Sequence, residues 1–341
     1  MKKFIKKTII FALPLMVFLI DGFLPINTFT YRVWEALLYK NWNEFAYPFY
    51  QNQKIDMYTT GDLAHHTKHA ILKREYWVTD KLGYRNDTFI KKPKILIIGD
   101  SFIAGTGLTQ DSTLTNLLKN KLNTQVYSIA PANFSNFISL YKNQNIIEKP
   151  EVIVFSIVER EIPPPIYIYP DDKIIRNISK PSILKDRLTR FYFFKYIKAR
   201  ILNEHGFGVQ GETDTTMFFL NGKNQQYFFD KIDIISKTII SYKNYCDSIG
   251  VEFIFLPLPN KETVYFDKVP FDNQPDYIFK LNSILEKNGV ITVNTVSLFN
   301  NAKTKNNHYL YHADDTHWNS NGVNLVADEL IKKIKINRQI Q

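Results

Sequence analysis

One cysteine, Cys246, stands in 341 residues. Neither an intrachain disulfide nor a cysteine-based zinc site can therefore form, whatever the compartment. Glycine and proline are scarce, at 13 and 15 residues, which excludes a collagen-like or low-complexity chain. Apolar residues are plentiful by contrast: 45% of the chain is hydrophobic and 15% aromatic, far from the composition of a disordered segment. A chain of this length has room for a well-buried core. Negative charge is in deficit, with 33 Asp+Glu against 43 Lys+Arg and a net charge of +10. The lysines are dispersed beside Asn and Ile and form no stripe that could follow phosphates, so nucleic acid is not an expected partner. A basic face toward an acidic glycan or an anionic membrane stays open.

Long apolar runs are missing except at the start. There Met1-Lys2-Lys3-Phe4-Ile5-Lys6-Lys7 precedes an apolar stretch from Thr8 to Ile20, followed by Asp21-Gly22-Phe23-Leu24-Pro25-Ile26. At 1.5 Å per residue the stretch covers about 20 Å of a hydrocarbon core of about 30 Å, so spanning needs Phe23 to Ile26 as well. A basic flank before an apolar segment reads as an export signal. No small-residue pair follows that would mark cleavage, so residues 1–26 are read as an uncleaved signal anchor, with a cleaved signal peptide as the rival. The expected location is the inner membrane, single-pass, with a cytoplasmic N-terminus and an extracytoplasmic or periplasmic catalytic domain.

Residues 27–90 are aromatic and irregular and read as a linker and entry segment. From about residue 91 the chain alternates β-branched runs with helical patterns, the signature of a parallel α/β sheet. Strands are expected over 94–98, 125–129, 152–156, 251–256 and 290–293. Helices are expected over 112–122, 133–147, 230–249, 277–287 and 320–336. Residues 162–229, opening with Pro163-Pro164-Pro165, interrupt the alternation as an insertion within a catalytic domain of 91–338. Inside it Arg190 to Tyr196 reads as a helix packing its aromatics on the domain, or as one contacting a membrane surface or glycan. The cluster His65-His66-Thr67-Lys68-His69 has no carboxylate-bearing scaffold around it, so no metal is expected there. Tyr84 and Arg85 are read as structural.

In an open α/β sheet, ligands bind beyond the carboxyl ends of the strands. The segments that follow the expected strands are Gly99-Asp100-Ser101-Phe102, Val158-Glu159-Arg160-Glu161 and Pro257-Leu258-Pro259-Asn260-Lys261, while Asp314-Asp315-Thr316-His317-Trp318-Asn319 precedes the last helix. A serine at a strand-to-helix turn is placed as a nucleophile, with backbone N–H groups nearby for an oxyanion. It needs a base oriented by a carboxylate, and His317 beside Asp314 and Asp315 offers one.

Gly99-Asp100-Ser101-Phe102 followed late in the chain by Asp314/Asp315 and His317 resembles the SGNH (GDSL-type) hydrolase superfamily. Asp315-Thr316-His317-Trp318-Asn319, Glu159-Arg160 and Pro259 to Tyr265 are similar to its exopolysaccharide branch, the alginate O-acetyltransferases. The resemblance implies a flavodoxin-like three-layer α/β/α fold with a mostly parallel sheet behind an N-terminal anchor. It implies Ser101 as nucleophile, His317 as base and Asp315 as orienter, with Asp314 as the alternative. Ser101, Ala130 and Arg160 would serve the oxyanion, and Glu159, Lys261, Tyr265 and Trp318 the substrate. Where the family supplies a glycine and an asparagine to the oxyanion hole, this chain has Ser128-Ile129-Ala130-Pro131 and Ser156 to Arg160. The implied activity is O-acyl transfer, most simply O-acetyl transfer, to a cell-envelope or exported polysaccharide, without cofactor or metal. The implied acetyl source is a multi-spanning membrane acyltransferase. A carbohydrate esterase with the same triad, and an inactive glycan-binding or assembly subunit, are the alternatives.

Overall fold

The computed structural model describes residues 1–25, 28–39, 47–162, 182–220, 229–305 and 309–340. Helix α1 (Lys2–Phe23) is followed by α2 (Val33–Leu37) and an antiparallel pair, β1 (Lys54–Thr59) and β2 (Lys73–Val78). The domain proper then runs β3 (Ile95–Ile98), α3 (Ser101–Ala104), α4 (Leu114–Leu122), β4 (Val126–Ile129), α5 (Phe134–Ile138) and β5 (Val152–Val158). After α6 (Ile183–Arg190), α7 (Tyr192–Ile201) and the pair β6 (Gly208–Gln210) and β7 (Phe218–Leu220), the alternation resumes. It continues with α8 (Ile232–Ser248), β8 (Glu252–Leu258), α9 (Lys261–Val264), α10 (Tyr277–Lys287), β9 (Ile291–Thr292), α11 (Thr295–Lys305) and α12 (Ser320–Ile340).

The five-stranded sheet has the order β4-β3-β5-β8-β9 with every neighbouring pair parallel. Its strands are continuously apolar because both faces are covered. Side chains alternate across the sheet: Ile95 and Ile97 join one core with Leu114, Leu118, Phe299, Val323 and Leu330. Leu96 and Ile98 join the other with Phe134, Phe137, Ile239, Tyr242 and Leu281. The result is a three-layer α/β/α arrangement. The chain leaves β3 to one side for β4 and then crosses to the other side for β5, so a topological switch point lies at the carboxyl end of β3.

Two sequence expectations are corrected, and one helix is added. Helix α1 forms, but no helix among the described residues is long and apolar enough to cross a membrane. This overturns the signal anchor at 1–26 and the single-pass inner-membrane location built on it. The physical reason is length: Lys6 and Lys7 on one side and Asp21 on the other confine the apolar run to about 20 Å of helix. Residues 27–90, expected as a linker, pack into the domain instead: Val33, Leu37, Phe49, Tyr50 and Trp77 are buried in the same core as Ile95 and Ile97. Helix α11 was not anticipated, since its polar sequence TVSLFNNAKTK offers little one-sided apolar spacing. The Pro163-Pro164-Pro165 stretch lies outside the described residues, while Arg190 to Tyr196 spans the end of α6 and the start of α7.

Candidate active site

The turn after β3 is built by close packing. A Cβ on Gly99 would stand 2.4 Å from Ile103 Cγ1, so no other residue lets α3 begin so near the strand end. Asp100 caps α3, its Oδ1 accepting from the Phe102 N–H at 2.8 Å while Oδ2 accepts from the Val158 N–H at 2.8 Å. One carboxylate thus ties the ends of β3 and β5 together across the switch point, and burial pushes its pKa up. The Ala132 N–H reaches the Gly99 carbonyl at 2.8 Å, joining the end of β4 to the same turn. Arg85 stiffens it from below, giving guanidinium hydrogen bonds to the carbonyls of Tyr76, Ala104, Gly105 and Leu108. The structural reading of Arg85 agrees with this.

His317 comes to Ser101 across 216 positions of chain. Ser101 Oγ lies 2.8 Å from His317 Nε2, and His317 Nδ1 lies 2.6 Å from Asp315 Oδ1. The carboxylate also accepts the His317 backbone N–H at 3.0 Å, which fixes the ring relative to its own main chain. The Phe102 and His317 rings are 4.8 Å apart. Asp314, the alternative orienter, faces away: its Oδ2 accepts from the N–H groups of Gly61 and Ile71 at 2.8 and 2.9 Å. Gly61 is required there, because a Cβ would come within 2.0 Å of the Asp314 carbonyl oxygen.

Two residues that sequence reasoning missed complete this cluster. Lys73, at the start of β2, places Nζ 3.4 Å from Asp315 Oδ2 and 3.2 Å from Asp314 Oδ1. Burial alone would raise the Asp315 pKa, but the Lys73 and His317 charges, with the His317 hydrogen bond, hold it well below the usual carboxylate range. Asp62 accepts from the Thr316 N–H and Oγ at 2.9 and 2.8 Å and lies 4.0 Å from His317 Nδ1. Burial and the neighbouring Asp315 charge raise its pKa. No motif signals either residue, since both belong to segments hundreds of positions from the groups they serve. Asp62, Asp315 and His317 bring three potential metal-ligand atoms within 4.8 Å of one another. The Lys73 ammonium already holds the cationic place beside Asp315, so the donor set does not fit a resident cation.

The other expected site residues divide. Arg160 stands over the Phe102 ring at 5.5 Å, beside the Ser101 turn, with Nη1 3.4 Å from Asn260 Oδ1. Ala130 is buried at the end of β4. Four residues expected to contact substrate are internal instead. Glu159 is fully buried, with Oε2 accepting from the Asn260 N–H at 3.0 Å and from Thr263 Oγ1 at 2.5 Å. Lys261 is buried and its Nζ donates to the carbonyls of Phe218, His312, Ala313 and Asp315 at 2.7 to 3.2 Å; burial brings its pKa down to about 8. Tyr265 accepts from the Leu310 N–H at 2.9 Å. Trp318 is fully buried, with Nε1 donating to the Phe102 carbonyl at 3.2 Å. The physical reason is that Lys261, Tyr265 and Trp318 satisfy main-chain groups of the loops that carry Asp315, His317 and Ser101 and support the site from behind, while Glu159 satisfies the turn after β8 at Asn260 and Thr263.

No curated protein matches the chain. Among solved structures, a lipase/acylhydrolase from Enterococcus faecalis is 13% identical, over 73% of this chain and 97% of that one, at a TM-score of 0.37. A catalytic mutant of an acetylxylan esterase from Geobacillus stearothermophilus is 14% identical, over 72% and 94%, at 0.37. The psychrotrophic esterase EstA from Pseudoalteromonas sp. is 12% identical, over 73% and 100%, at 0.37. Residues 237–341 match the family model for the SGNH hydrolase-like domain of acetyltransferase AlgX. Ser101 lies outside that stretch, and Asp315 and His317 lie within it. The carboxyl-terminal part of the chain, from α8 through the loop that carries Asp315 and His317 to α12, is thus similar to an SGNH hydrolase-like domain of the AlgX acetyltransferase kind, the resemblance its motifs carry.

Proposed function

We propose that the protein is a serine O-acyltransferase that moves an acyl group, in the simplest case acetyl, onto a hydroxyl of a polysaccharide. The observation that carries this reading is the continuous contact from Ser101 Oγ to His317 Nε2 at 2.8 Å and from His317 Nδ1 to Asp315 Oδ1 at 2.6 Å. Ser101 Oγ attacks the donor carbonyl while His317 Nε2 takes its proton and then gives it to the departing group. The acceptor hydroxyl attacks the acyl-serine, its proton passes to His317, and the imidazole returns a proton to Ser101 Oγ. Asp315 holds the Nδ1–H tautomer and faces the imidazolium as it forms. In this reading the backbone N–H groups of Ser101 and Ala130 serve the oxyanion, together with the Arg160 guanidinium. The 2.8 Å contact favours catalysis over an inactive glycan-binding subunit, because a binding module has no need to hold a hydroxyl on an oriented imidazole.

The same triad serves an esterase if water reaches the acyl-serine before the sugar. The test is incubation of the full chain with a chromogenic acetyl ester and an oligosaccharide acceptor, beside Ser101→Ala and His317→Ala. Ester consumption that depends on both residues and yields acetylated sugar supports transfer. Acetate alone supports the esterase, and turnover unchanged in Ser101→Ala overturns the triad.

A further inference from the structure

Asp62 is a buried charged neighbour of His317 that the reaction steps leave without a role. The segment that carries it is fastened to the 314–317 loop on both sides. The Gly61 N–H donates to Asp314 Oδ2 at 2.8 Å, and the Leu63 N–H donates to the Asp314 carbonyl at 3.1 Å. Between these anchors the Asp62 side chain is aimed at Thr316, accepting the N–H at Oδ1 and the hydroxyl at Oδ2. Both carboxyl oxygens thus act as acceptors, and the Arg32 guanidinium lies 3.6 Å from Oδ2, the surroundings of an ionised group. Burial and the Asp315 charge oppose ionisation, while the His317 and Arg32 charges and the Thr316 N–H favour it.

Two carboxylates therefore converge on one imidazole nitrogen. His317 Nδ1 has Asp315 Oδ1 at 2.6 Å, Thr316 Oγ1 at 3.3 Å and Asp62 Oδ2 at 4.0 Å. The Thr316 hydroxyl gives its hydrogen to Asp62, which leaves its lone pairs free to face the Nδ1–H. Each carboxylate has its own cation from the segment before the sheet: Lys73 stands 3.4 Å from Asp315 and Arg32 stands 3.6 Å from Asp62. Like charges this close in a buried place repel. A positive charge between them relieves the repulsion, and the ring carries one once His317 has taken the serine proton. We propose that Asp62 is a second positioning carboxylate, which acts with Thr316 to steady the His317 imidazolium during acyl transfer and rests on the function proposed above. The other charged or titratable groups that reach the ring are Asp100 and Glu161 on the Ser101 side and His312 in its own loop. They are common to every variant compared below.

The test reads the ring itself by NMR, in the full chain labelled with 15N-histidine, with the His317→Ala spectrum assigning the His317 signal. Asp62→Asn keeps the size and an acceptor oxygen but removes the charge. The His317 ring titration should then move to lower pH by about one unit, and kcat/KM for the chromogenic ester should fall about tenfold. Thr316→Val removes only the linking hydroxyl and should move the titration the same way by less; it carries the test if Asp62→Asn does not fold. Asp56→Asn, in an exposed pair with Arg74, should leave the ring where it is. A lower melting temperature with the ring titration unmoved, or moved upward, in the folded variants would make Asp62 a structural brace and overturn the proposal. Because the ring is read without turnover, a chain that consumes no ester can still show the shift, so this role and the proposed activity fail separately.

Discussion

Strands β3 and β5 are neighbours, run parallel and end at the same edge of the sheet, yet their ends do opposite things. The turn after β3 presents the Ser101 hydroxyl to an imidazole 2.8 Å away. The turn after β5 takes the Glu159 carboxyl inside, where Asn260 and Thr263 hold it. A reactive-looking residue at a strand end is therefore not enough; what matters is which loop covers that end. The 310–319 loop meets β3 and delivers the His317 imidazole, whereas the turn after β8 meets β5 and seals it. Asp100, hydrogen-bonded to both ends, makes the two turns one rigid unit.

The largest effect should come from Ser101→Ala. We expect ester turnover to fall by about 10³-fold or more with the melting temperature nearly unchanged, since the hydroxyl supports nothing else that the structure shows. A large loss of stability would show that the two strand ends are alike in being structural. Asp315→Asn should come next, with a loss of about 10³-fold through the wrong imidazole tautomer. Asp314→Asn should cost much less turnover and more stability, because its carboxylate holds Gly61 and Ile71; equal losses in turnover would overturn the choice of orienter.

Lys73→Met is the next step down. With the ammonium gone, Asp315 loses a neighbouring charge that holds its carboxyl pKa down, and the acidic limb of the kcat/KM profile should begin its fall at higher pH. An unmoved limb would reduce Lys73 to packing. The smallest effect belongs to Glu159→Gln, for which turnover should stay within about threefold; a larger drop would restore a substrate contact at β5. Burial raises the Glu159 pKa to about 7 against the Thr263 and Asn260 hydrogen bonds. A carboxyl with a raised folded-state pKa keeps its full stabilising contribution below the unfolded value, near 4.5, and loses it as the pH climbs to about 7. Urea unfolding across that window should show the wild type losing stability and the glutamine variant losing less.

The five parallel strands were legible because a sheet covered on both faces demands continuous apolar runs, and Ile95–Ile98 and Val152–Val158 are such runs. Ser101, His317 and Asp315, which the structure brings into contact, were legible as candidates because each sits in a short local motif. The fate of Glu159, Lys261, Tyr265 and Trp318 was not, since burial depends on what another segment lays over a residue. The segment 27–90 misled for the same reason: its irregular pattern hides that Asp62 and Lys73 reach the far end of the chain. At the N-terminus the basic flank and apolar run form a helix, as an anchor would, but the helix lacks the apolar length to span, so the anchor reading fails.

What the sequence determined by itself is local: the period of each strand, the Gly99-Asp100-Ser101 turn that starts α3, and the Asp315-x-His317 spacing that lets one carboxylate hold both the imidazole and its own main chain. Only the tertiary structure decided that Ser101 meets His317 and that Lys73 and Asp62 flank Asp315. Those outcomes depend on contacts between segments up to about 250 residues apart, where the energy lies in burial and paired charge that no local pattern encodes.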